Sequence, residues 1–248
     1  MKKVGIVGTG EYLPKKILTN FDLEKMVDTS DEWITTRTGI KERRIADKAE
    51  ATSDLAAAAC REALKDAKIK AQDIELIIVA TITPDMQFPA TACILQKMLG
   101  ADKAVCFDVS AACAGFVYAL VVAQQFIACG LYKNALVVGA EKLSSVTDWK
   151  DRNTCVLFGD GSGAVVLSEV SSGGILSSYL GCDGKNTDLL LIPAGGSRLP
   201  ASDKTIESGM HYIKMQGNEL FKLAVKLMAE AAQVAVERAG LKCSDIDL

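Results

Sequence analysis

Short continuous apolar runs alternate along this chain with longer stretches whose apolar positions recur at helical spacing. The continuous runs predict strands at Val4–Gly8, Ile74–Thr83, Ala104–Val109, Ala135–Gly139, Ala164–Leu167 and Ile175–Leu180. The helical spacing predicts helices at Ser53–Ala67, Ala90–Leu99, Ala114–Ala128 and Glu219–Ala239. Ser53 reads as an N-cap for the first of these, and Gly130 stands where a C-cap glycine belongs after the third. Strands alternating with helices predict an α/β protein with a mixed or parallel sheet. The segment Val109–Leu131 is almost uncharged and long enough to suggest a membrane span. It carries Gln124 and Gln125, is rich in alanine and has no flanking basic belt, so a buried helix of a soluble fold is the better reading.

An internal repeat adds to this picture. Ala67-Lys-Ile-Lys-Ala-Gln-Asp-Ile-Glu-Leu76 matches Ala239-Gly-Leu-Lys-Cys-Ser-Asp-Ile-Asp-Leu248, and each follows an Ala-rich helix. In the first copy the strand Ile77–Ala80 comes next, whereas in the second the sequence ends. The expectation is a duplicated α/β unit whose second copy stops early.

At 248 residues and 49% hydrophobic, the chain can bury a large core as one domain or two packed halves. Lys plus Arg is 28 against 31 for Asp plus Glu, which argues against a globally basic nucleic-acid binder. Met1-Lys-Lys-Val-Gly-Ile-Val passes directly into a strand pattern without the apolar core of a secretion signal. Eight cysteines form no C-x-x-C pair, and a single histidine argues against a zinc site, so a reduced cytoplasmic protein is expected. Two glycine-rich stretches, Gly5–Gly10 and Gly159–Gly163, invite a nucleotide reading. The first leads to Tyr12-Leu-Pro14 rather than a helix, and the second reads as a turn into a strand, so neither is taken as a dinucleotide site.

The candidate chemistry lies at Cys113. Val105–Val109 reads as a strand, Ser110-Ala-Ala-Cys-Ala-Gly-Phe116 as a sharp turn, and Val117–Ile127 as a helix. Such a turn directs backbone N–H groups and the positive end of a helix dipole at its occupant, which favours negative charge on a nucleophile. Small neighbours (Ala111, Ala112, Ala114, Gly115) leave room for a substrate carbonyl. A cysteine is as readily a small buried hydrophobe, and the other seven are read that way or as inert loop thiols.

Phe107-Asp-Val-Ser-Ala-Ala-Cys-Ala-Gly-Phe116 closely resembles the nucleophile segment of the β-ketoacyl-acyl-carrier-protein synthase III family. Three further stretches carry the same likeness: Thr29–Ile40, Thr154–Ala164 and Met215–Lys222. The resemblance implies a thiolase-like five-layer α/β fold of two duplicated halves, 1–170 with the nucleophile and 171–248 incomplete, as a homodimer. It implies that Cys113 takes an acyl group from a short acyl-CoA, acetyl-CoA above all. Malonyl-acyl-carrier-protein then decarboxylates onto the thioester to give a 3-oxoacyl product. Coenzyme A enters as a substrate thioester, and no cofactor, metal, nucleic acid or membrane is called for.

By the same resemblance Trp33 and Arg152 sandwich the adenine of CoA, with Thr29 and Arg37 in the same CoA-binding segment. Gly217 and Asn218 belong to a loop by the pantetheine channel. Phe88 closes the acyl pocket of a dimer partner, Phe158 lines that pocket, and the Cys113 N–H is one oxyanion donor. The family's histidine and asparagine belong beyond Leu248, and His211 does not match that histidine. Acylation at Cys113 is therefore the expectation for these 248 residues, and condensation is not. Within the superfamily the alternatives are an acyltransferase, a polyketide-type condensing enzyme, or a non-catalytic dimer partner.

Overall fold

The computed structural model describes residues 2–247. In chain order the first elements are β1 (Val4–Tyr12), β2 (Lys16–Thr19), α1 (Asn20–Leu23), α2 (Asp31–Thr38), β3 (Glu42–Ile45) and α3 (Thr52–Ala67). Then follow β4 (Leu76–Ala80), α4 (Thr91–Leu99), β5 (Val105–Val109), α5 (Gly115–Ala128) and β6 (Asn134–Lys142). The last are α6 (Arg152–Cys155), β7 (Asp160–Glu169), β8 (Leu190–Leu191), α7 (Asp203–Glu207), β9 (Lys214–Met215) and α8 (Gly217–Arg238). The chain forms two compact units, each assembled from separated segments.

The first unit comprises 1–16, 44–142 and 160–176. Its sheet has the order β1-β7-β6-β4-β5, with β4 parallel to β5 and β6, and β7 antiparallel to β6 and β1. All five residues of β4 are buried because both faces of the sheet are covered. Ile77 and Val79 point to one side, packing with Ala56, Ala59, Cys60 and Ala63 of α3 and Leu95 of α4. Leu76 and Ile78 point to the other and meet Ala119, Ala123 and Ile127 of α5. The near-uncharged α5 is thus a core helix, and no helix among the described residues is long and apolar enough to cross a membrane.

β1 lies so close to α3 that a Cβ on Gly8 would come within 2.5 Å of the Ala67 nitrogen and 2.6 Å of the Ala63 oxygen. The Gly5–Gly10 stretch is therefore part of a strand and serves strand–helix packing. Gly161 and Gly163 likewise lie within β7, so the turn expected at 159–163 is the start of a strand. Ser53 does not cap α3. Ala51 holds that position, and the Ser53 N–H and hydroxyl donate to Asp85 at 2.9 and 2.6 Å. The strand expected at Ile175–Leu180 is also absent. Ile175 N–H donates to Val4 O at 2.8 Å, and the segment then joins no ladder among the described residues.

The second unit comprises 17–43, 143–159 and 177–248. Leu23, Ile34, Cys155 and Val156 form its buried core, with Trp33, Ile40 and Trp149 packed against them. The two repeat copies fold alike. After α3, Ile69 N–H donates to Leu64 O, Asp73 N–H to Lys70 O and Ile74 N–H to Ala71 O. After α8, Leu241 donates to Val236, Asp245 to Lys242 and Ile246 to Cys243 in the same order. The left-handed residue is Lys68 (φ 55°) in the first copy and Gly240 (φ 72°) in the second.

Candidate active site

Cys113 lies at the end of β5, the edge strand of the sheet, on the side where the parallel strands β4 and β6 also end. The chain reverses there through Ala111 (φ −140°) and Ala112 (φ 47°), makes one tight turn over Ala112–Ala114 and enters α5. A left-handed backbone at an alanine is costly, and such strain persists where the surroundings hold it. The support is visible: Thr81 N–H donates to Val109 O at 3.2 Å, and α5 enters at Gly115, where a Cβ would meet Ala80 Cβ at 3.2 Å. Cys113 is exposed on this turn. Burial pushes the thiols of Cys60 and Cys155 up, and that of Cys106 up to about 12, so those three are packing residues.

Residues 81–91 leave the end of β4 and carry Phe88, which is 85% exposed. Three carboxylates pin this segment. Glu141, at the end of β6, accepts from Ile82 N–H (2.9 Å), Thr83 Oγ1 (2.5 Å) and Thr81 Oγ1 (3.3 Å). Asp85 ties the segment to the first turn of α3 through Ser53. Asp108 of β5 accepts from the Thr91 and Ala92 N–H groups at 2.7 and 2.8 Å, capping α4 from a distance. Burial raises the Glu141 pKa above the ordinary carboxylate value, opposed by its hydrogen bonds to Thr83, Ile82 and Thr81.

In the second unit Trp33 and Arg152 come together, the Arg152 guanidinium 4.8 Å from the Trp33 ring centroid. Arg37, one helical turn on from Trp33, also lies over that ring, at 5.0 Å. Ser30 caps α2 by accepting from Trp33 N–H at 3.1 Å. Arg152 begins α6 and reaches Asp28 at 3.8 Å. A base between two planes needs about 7 Å, two van der Waals layers of ~3.5 Å. At 4.8 Å the guanidinium stands against the ring, closer than that spacing. Just before α2, the Thr29 hydroxyl is buried with no hydrogen-bond partner among the described residues, which is costly for a polar atom.

Gly217 and Asn218 are not in a loop; they are the first two residues of α8, both exposed. Phe158 is half-buried just after α6. His211 is held by Thr205, Oγ1 to Nε2 2.9 Å, a clasp between a turn and α7.

Residues 107–184, from the nucleophile strand onward, match the family model of 3-oxoacyl-[acyl-carrier-protein (ACP)] synthase III. β-Ketoacyl-[acyl-carrier-protein] synthase III of Caldanaerobacter subterraneus subsp. tengcongensis is 63% identical over 245 residues, taking in 98% of this chain and 74% of its own length. The chain belongs to the synthase III family. The crystal structure of the synthase III from Aquifex aeolicus VF5 is similar at 50% identity and a TM-score of 0.89, covering 99% of this chain and 75% of that one. The priming β-ketosynthase of the R1128 polyketide pathway is similar at 35% identity and a TM-score of 0.91, over 99% and 72%. The mixed α/β fold of this synthase III chain is thus that of the family over about three quarters of its relatives' length.

Motif reading brings Cys113, Trp33, Arg37 and Arg152 to light in this synthase III chain. It misses Glu141, Asp85, Asp108, Asn20 and Arg43, whose parts depend on partners far away in sequence. Partners that far apart leave no local pattern, so no sequence signal marks them.

Proposed function

We propose that a short acyl-CoA acylates this synthase III chain at Cys113, the first stage of the family's condensation with malonyl-acyl-carrier-protein in fatty-acid synthesis in the cytoplasm. The Cys113 thiolate adds to the thioester carbonyl, and the tetrahedral oxyanion collapses with CoA thiolate leaving. Loss of CO2 from the malonyl group then leaves an enolate whose carbon attacks the Cys113 thioester. A carbon–carbon bond forms, the cysteine thiolate departs, and a 3-oxoacyl-acyl-carrier-protein results. The carrying observation is the exposed Cys113 on its strained turn between β5 and α5, in a chain so close to synthase III.

The Trp33–Arg152 pair is read as the adenine clamp, with Arg37, Thr29, Gly217 and Asn218 contributing to the CoA site. Phe88 and Phe158 are read as acyl-pocket residues. The matching turns after α3 and α8 support a thiolase-like five-layer fold with halves at 1–170 and 171–248. The edge position of β5, with Val105 48% exposed, supports a homodimer.

Intact mass before and after acetyl-CoA, with peptide mapping, tests the reading. One acetyl group on Cys113 that is absent from Cys113→Ser supports it. No adduct with acetyl-CoA or with longer or branched acyl-CoAs overturns it. A 3-oxo product with malonyl-acyl-carrier-protein separates condensation from simple acyl transfer.

A further inference from the structure

Arg43 is 4% exposed in the second unit. Among the described residues its guanidinium has only uncharged hydrogen-bond partners. Nη1 donates to Asn20 Oδ1 at 2.5 Å, and Nε and Nη2 both donate to Val156 O, at 3.2 and 2.5 Å. Asn20, fully buried, carries the connection onward: its Nδ2 donates to Asp31 Oδ1 and Ile40 O at 2.8 Å, with Thr35 Oγ1 at 3.3 Å. Asp31 and Thr35 lie on α2, which presents Trp33 and Arg37. Val156 is the residue that ends α6, which presents Arg152. One planar fork therefore joins the two elements that carry the two faces of the clamp.

A buried guanidinium is not a stability device, since packed apolar residues of similar volume often serve as well. What a rigid fork gives, and a hydrophobic side chain does not, is a fixed relation between two acceptors. Trp33 stacking on a base is sensitive to sub-ångström changes in that relation. We propose that Arg43, acting through Asn20, is the positioning residue of the clamp, setting the separation of Trp33 from Arg152 so that a purine base is gripped when Arg152 moves aside. The proposal rests on the CoA reading of Trp33 and Arg152. It adds that adenine recognition is controlled by residues that never touch the ligand.

The test compares two acyl donors. Acetyl-CoA engages the clamp; S-acetylpantetheine, which has no adenine, does not. With Arg43→Met, the rate of Cys113 acetylation at low donor concentration is expected to fall about tenfold for acetyl-CoA, the loss of one good stacking or charge-assisted contact, and to stay unchanged for S-acetylpantetheine. The loss is expected in KM, with the saturating rate retained. Arg43→Lys keeps the charge but reaches only one acceptor, and an intermediate loss is expected; it also serves should Arg43→Met not fold. Calorimetry with CoA and pantetheine repeats the comparison without any reaction at Cys113. Equal losses for both ligands, or none for either, overturn the positioning role. A wild-type chain that binds CoA no more tightly than pantetheine overturns the clamp, and the proposal with it. Failure of acetylation alongside an intact CoA preference overturns only the reading of Cys113.

Discussion

At Glu141 two opposing effects meet, burial that disfavours the carboxylate and three hydroxyl or N–H donors that favour it. Burial is the larger, so the folded chain holds this proton more tightly than the unfolded chain does. Its contribution to stability is accordingly full below the ordinary carboxylate pKa near 4.5 and is lost as pH rises through the raised value. Glu141→Gln keeps an acceptor without the charge and is expected to flatten that part of the stability curve, read by urea unfolding from pH 4.5 to 8. Asp22 behaves oppositely. The Thr19 hydroxyl and N–H, with Lys25, hold its carboxyl at about 2, so its contribution is present above the ordinary value of 3.8 and is lost on acidification towards 2. Asp22→Asn should remove that acid limb, checked by the same titration. At this scale the sequence shows Cys113 through its small neighbours, whereas Trp33 and Arg37 stand out only through the family resemblance. Glu141 and Arg43 stay hidden because burial is a property of the finished fold.

The short helices α1, α2, α6 and α7 were not legible. The four longest, α3, α4, α5 and α8, were legible to within a residue or two, and for α3, α4 and α5 the apolar spacing is also what packs them against the sheet. Their ends were not. The N-cap positions of α3 and α4 are Ala51 and Ala90, residues whose side chains cannot cap; Asp54 of α3 itself, Asp85 and Asp108 supply the missing acceptors. Asp108→Ala should therefore behave as a cap deletion, costing about 1–2 kcal/mol in denaturant unfolding although it lies outside α4. Gly8 faces the opposite constraint. Gly8→Ala drives a methyl into the α3 backbone and is expected to cost about 3 kcal/mol, lowering the urea midpoint. Ile175–Leu180 shows why an apolar run alone is a poor witness to a strand. A strand needs a ladder, and after the single bond from Ile175 to Val4 none is available among the described residues.

For the molecule as a whole, the sheet ends on β5, which has no further strand beside it among the described residues and stands next to the nucleophile turn. If the proposed homodimer forms through that edge, Val105→Lys should shift the sedimentation coefficient from that of a dimer to that of a monomer, while a lysine at exposed Leu131 should not. The alternation of strands and helices made the fold class legible. The interleaving of chain segments between the two units was not, because long-range partnership leaves no local period. The repeated turn has one more consequence. It is an internal control: one set of hydrogen bonds, built once around a lysine and once around a glycine. Lys68→Gly should raise stability by a few tenths to about 1 kcal/mol, and Gly240→Lys should lower it by a similar amount. If the two shifts are equal and opposite, the handedness of a single residue has the same energetic weight in two different surroundings, and any difference between them measures the surroundings themselves.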